Sequence, residues 1–147
     1  MIDFPDILNR AIEALRSGNI DNPKEAARSM GFEGEDVKVA RTRSGEWCIS
    51  RFHVAGLPGD AGLMRKRVPQ DSLVFFFPDG QLPGFDVVDS DLGSNALYTH
   101  VKDGKGFIAR YERHDFSLGL MVYNSDMKIV SFEVSLGQSM AEIQNRK

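Results

Sequence analysis

Three β-type runs decide the fold of this chain: Phe107-Ile-Ala-Arg-Tyr-Glu-Arg113, Phe116-Ser-Leu-Gly-Leu-Met-Val-Tyr123 and Lys128-Ile-Val-Ser-Phe-Glu-Val134. Only His114-Asp115 and Asn124-Ser-Asp-Met127 separate them. Connections that short force each run to turn back and pair with its neighbour, so the stretch predicts an antiparallel meander. Ala96 to Val101, followed by the turn-forming Lys102-Asp-Gly-Lys-Gly106, extends it upstream by one strand.

Beyond the meander, Ser135 is a plausible N-cap, and Leu136, Met140 and Ile143 recur at helical spacing, which predicts a short amphipathic C-terminal helix. At the other end, Asp3 and Pro5 open a helix whose apolar positions Ile7, Leu8, Ala11, Ile12 and Leu15 fall on one side before Gly18 stops it. Asn22-Pro23-Lys24-Glu25 opens a second helix with a cap, a proline at the first helical position and a capping-box glutamate; Gly31 closes it. The period then changes to two. Val37 and Val39, the turn Ser44-Gly45, and Trp47 to Phe52 predict a hairpin.

Ala55 to Ser72 is the least regular segment, with three glycines, two prolines and the basic cluster Arg65-Lys66-Arg67, and is expected to be a long loop. Leu73 to Phe77 predicts a buried strand, ended by Pro78-Asp79-Gly80. Phe75, Phe76 and Phe77 are consecutive, so a strand sends the middle ring to the opposite face from the other two; burial of at least two of the three is expected. Phe85 to Val88 is expected as another short strand and Asp89 to Asn95 as a polar loop.

A chain of 147 residues with 41% apolar content predicts one domain, residues 1–147, with a core of its own. A charged fraction of 27% and a net charge of −3 recruit neither nucleic acid nor a membrane surface. One cysteine, Cys48, excludes an internal disulfide framework and suits a reducing compartment, so a cytoplasmic location is expected. No signal peptide or transmembrane run is expected from the N-terminal residues or from the longest apolar run, Leu73 to Phe77.

Chemistry-bearing patterns are sparse. His53, His100 and His114 have no zinc-motif spacing; a general base could arise only if His100 met His114 or Asp86 in a cleft. Asp86, Asp89 and Asp91 precede a glycine but lack the remaining ligands of a calcium loop, and no Gly-x-Ser-x-Gly or phosphate-binding glycine loop occurs. Ala27, Gly31 and Val37 have the spacing of a helix-turn-helix, yet Glu33, Glu35 and Asp36 would face phosphate and repel it, and Val37-Lys-Val39 has β character. Arg41, Arg43 and Arg51 are accounted for by a solvated sheet face.

These observations predict an α+β domain: a mainly antiparallel sheet of about six or seven strands packed against two N-terminal helices and a short C-terminal helix. The leading functional expectation is a small cytosolic, non-enzymatic protein-binding module of the inhibitor, immunity-type antagonist or chaperone class, needing no cofactor or metal. Its partner is another protein, with homo-oligomerisation as a further expectation; membrane and nucleic acid are not expected partners. Candidate contacts are Asp60, Arg65, Lys66 and Arg67 in the long loop and Asp86, Asp89 and Asp91 in the acidic one. The alternative is a small-molecule or enzymatic pocket between the sheet and the N-terminal helices.

Overall fold

The computed structural model of the protein describes residues 3–17, 20–30, 32–33, 38–43, 45–54, 61–67, 70–77, 82–101 and 104–136. Helix α1, Phe4–Ser17, turns a stripe of Phe4, Ile7, Leu8, Ala11, Ile12 and Leu15 inward, as its spacing predicts. Helix α2, Pro23–Ser29, begins where the Asn22 side chain accepts hydrogen bonds from the Lys24 and Glu25 amides at 3.0 and 3.4 Å.

The described strands are β1 (Phe32–Glu33), β2 (Lys38–Arg41), β3 (Trp47–Val54), β4 (Ala61–Lys66), β5 (Ser72–Phe76), β6 (Leu97–His100), β7 (Gly106–Glu112), β8 (Phe116–Tyr123) and β9 (Ile129–Leu136). They form one antiparallel sheet in the order β1-β3-β4-β5-β9-β8-β7-β6, with β2 pairing β3 off that path. The meander is present as expected, from β6 to β9. The sheet is larger than the six or seven strands expected.

Two segments differ from the sequence expectation, each for a local reason. Within the segment read as a loop, β4 runs from Ala61 to Lys66, alternating Ala61, Leu63 and Arg65 toward the helices with Gly62, Met64 and Lys66 away from them. The inward arginine and outward methionine break the apolar alternation that marks a strand in sequence. Phe85 to Val88 is helical: α3, Phe85–Asp91, follows an extended Gly84 and buries Phe85 and Val88. Its C-terminus is a Schellman motif, in which the Ser94 amide donates to the Asp89 carbonyl at 2.8 Å and the Gly93 amide to Ser90 at 3.2 Å, with Gly93 at φ +93°. Phe85, Val88 and Leu92 at i, i+3 and i+7, with Gly93 after them, carried that signal. Strands β1 and β2 occupy the place where a helix-turn-helix would need its second helix. The expected C-terminal helix lies outside the described residues.

The described helices pack on one face of the sheet. The cross-strand row Ile49, Leu63, Phe75, Phe132, Leu120 and Ala109 is buried along its whole length, and so is the row Trp47, Arg65, Leu73, Val134, Leu118 and Tyr111 beside it. Phe75 stacks on Phe132 at 4.5 Å between ring centres, and Phe4 of α1 meets Phe132 edge-on at 5.2 Å. Phe77 is half-buried against the same stack, whereas Phe76 points the other way and is 43% exposed. One ring of the triplet is therefore fully buried and a second partly so, with the alternation a strand demands.

Candidate binding face of the sheet

No described helix covers the opposite face, and register arranges its side chains in three rows across the strands. The first is polar: Lys66, Ser72, Ser135, Ser117 and Glu112. The second is Met64, Val74, Glu133, Gly119, Arg110 and Leu97. The third is Gly62, Phe76, Ser131, Met121, Ile108 and Thr99. A groove of about 260 Å³ follows these rows, and Met121 also borders a broader depression of about 790 Å³ beside Val101, Gly106 and Tyr123.

The charges here are unevenly paired. Lys66 reaches over β5 to place its Nζ 3.3 Å from Glu133 Oε1, both half-buried. Arg110 is exposed and makes no ion pair among the described residues. Between Arg110 and Glu133, directly opposite both in register, stands Gly119. At the polar end, the Gln70 amide donates to Ser135 Oγ at 2.8 Å and the Ser117 hydroxyl to Glu112 Oε1 at 3.0 Å.

Gly119 is not required by the backbone. Its φ is not positive, and a Cβ built on it would meet nothing nearer than Ile108 Cγ2 at 3.7 Å, an ordinary contact. Gly106 contrasts with it, because a Cβ there would lie 2.5 Å from the Val122 carbonyl oxygen. A glycine in mid-strand costs stability relative to alanine, and at this position neither the backbone conformation nor a steric contact requires it.

The residues singled out from sequence do not converge. Asp60 lies outside the described residues. Arg65 is 5% exposed on the core side of β4, ion-paired with Asp21 and, at 3.2 Å, with Asp71, while also donating to the Ile20 carbonyl at 3.4 Å. Trp47 Nε1 donates to that same carbonyl at 2.7 Å, so the two side chains pin the turn after α1 to the sheet. Arg65 Nε is buried without a partner. Burial opposes the Arg65 charge, but the bonds to Asp21 and Asp71 outweigh it and hold its proton more tightly than usual; Arg65 in turn holds the Asp21 carboxyl below its ordinary range. Arg67 donates its amide to a Glu46 carboxylate oxygen at 2.8 Å.

Asp86 and Asp91 are exposed on α3. Asp89 accepts the Tyr111 hydroxyl at 2.6 Å, tying α3 to β7. Burial, reinforced by Asp89, pushes the Tyr111 phenol far above its ordinary range. Arg113, over the Tyr111 ring at 5.7 Å, donates to the Leu92 carbonyl and to Asn95 Oδ1, securing the loop after α3. Of the six candidates among the described residues, only Lys66 lines the groove. Arg110, Gly119 and Glu133 were not singled out from sequence. The one local signal was the glycine inside a strand pattern.

His100, paired opposite Phe107 near the start of β7, and His114, just past the end of that strand, are both exposed. Among the described residues no three His, Cys, Asp or Glu side chains are placed to hold a metal ion, and no helix is long and apolar enough to cross a membrane. Comparison of the chain with protein-family models, curated proteins and solved structures found no match.

Proposed function

We propose that this protein is a non-enzymatic binding module whose sheet face opposite the described helices receives an extended segment of another protein. The observation that carries this is Gly119, a stability-lowering residue at the centre of the groove that the fold itself does not require. Its surroundings suit a peptide. Met121 and Ile108, both half-buried, supply apolar contact, while serine hydroxyls and charged groups at the margins supply hydrogen bonds. The groove crosses from β5 to β7 and extends along β8 from Ser117 to Met121, an open shape that fits a chain segment better than a compact metabolite, which is usually enclosed. A pocket enzyme would need converging titratable side chains, and His100 and His114 stand apart.

The test is selection from a random peptide library displayed with its C-termini fused, panned on the purified protein and counter-screened on Gly119→Trp. The indole fills the groove, the Cβ at this position meets only ordinary contact, and circular dichroism with thermal melting checks that the variant is folded before it is used as the counter-screen. Enriched peptides, remade synthetically and measured by fluorescence anisotropy, should lose about tenfold or more in affinity for Gly119→Trp, equivalent to about 1.4 kcal/mol. Failure to enrich any peptide, or enrichment of peptides indifferent to Gly119→Trp, refutes the proposal.

A further inference from the structure

We infer that the docked segment carries an acidic side chain over Gly119, paired with Arg110, and a large apolar side chain two residues away, seated on Met121 and Ile108. This rests on the docking function proposed above and specifies the chemistry of the partner.

The acid follows from how the face is charged. Glu133 is the carboxylate beside Gly119, and Lys66 already neutralises it at 3.3 Å. The other carboxylate of these rows, Glu112, accepts a hydroxyl from Ser117 at 3.0 Å and makes no ion pair among the described residues. Among the described residues Arg110 is thus left with a guanidinium fork uncommitted, directly across from a strand position that has no side chain. The gap at Gly119 lets an incoming backbone come close enough for its carboxylate to lie alongside Arg110, where planar two-point pairing is the strongest recognition available.

The spacing follows from strand geometry. Along β8 the residues facing the groove are Ser117, Gly119 and Met121, each about 6.8 Å from the next. An extended guest lying along β8 repeats same-side residues at that interval too. With its carboxylate at Arg110, the residue two positions away in one direction falls on Met121 and Ile108, and in the other on Ser117 and Ser135. Chain direction decides whether the apolar residue precedes or follows the acid.

The same library, panned in parallel on the wild-type protein and on Arg110→Glu, tests the inference. Arg110 is exposed on the sheet surface, and circular dichroism with thermal melting checks that the variant is folded. Peptides from the wild type should share Asp or Glu at one position and a large apolar residue two away. Amidating that acid to Asn or Gln in the synthetic peptide should weaken binding about tenfold or more, and Arg110→Glu should select Lys or Arg there instead. Peptides that depend on Gly119 yet show no acid at fixed spacing, or an unchanged preference on folded Arg110→Glu, overturn the inference and leave the docking function standing. Absence of any Gly119-dependent peptide overturns both.

Discussion

Replacing Gly119 with alanine should make the protein more stable, and replacing Gly106 with alanine should make it markedly less so. At Gly119 the backbone conformation suits any L-residue, so alanine removes unfolded-state freedom worth about 0.4–1 kcal/mol. The added methyl contacts Ile108 Cγ2 at 3.7 Å and contributes a few tenths more, at roughly 25 cal/mol for each Å² of apolar surface covered. The expected gain is about 1 kcal/mol, or roughly 2–4 °C in melting temperature for a chain of this size. At Gly106, one strand away, the methyl would stand 2.5 Å from the Val122 carbonyl oxygen, which is backbone and cannot swing aside. Overpacking of that kind costs about 1–3 kcal/mol. Urea and thermal unfolding, followed by circular dichroism and by fluorescence of the buried Trp47, measure both. A loss of stability in Gly119→Ala comparable with that in Gly106→Ala would show that the fold demands both glycines. Gly119 would then no longer argue for a docked segment.

Two further outcomes follow from the core and its ion pairs. Phe75→Ala should cost about 4 kcal/mol, since it empties a fully buried site in an aromatic stack, whereas Phe76→Ala, at a ring already 43% exposed, should cost about 1 kcal/mol; equal shifts of the urea midpoint would contradict the assignment of the two faces. Arg65 lowers the Asp21 pKa below its ordinary 3.8, so between the two values the unfolded chain binds more protons and stability rises with pH. The contribution is fully present above the unfolded value and is lost as pH falls through the folded one. Urea unfolding across that acid range should therefore show wild type and Asp21→Asn converging at the lowest pH, and parallel curves would mean that the Arg65–Asp21 contact contributes nothing.

By itself the sequence determined the elements whose signals are local. Period-two runs joined by connections of two and four residues leave the meander few alternatives to neighbour pairing. Asn22 and Pro23 start α2 because the cap and the fixed φ of proline act within one turn. What only the tertiary structure decided depended on partners distant in the chain. Strand β4 was obscured because Arg65 points into the core, which becomes tolerable only when Asp21, Asp71 and the Ile20 carbonyl come to meet it. The apolar residues of Phe85 to Val88 serve either period, and α3 prevails where Phe107 and Tyr111 await Phe85 and Asp89. The groove is the clearest case. Arg110, Gly119, Glu133 and Lys66 come from four strands, and only register sets the glycine between an uncommitted guanidinium and a carboxylate already neutralised across β5.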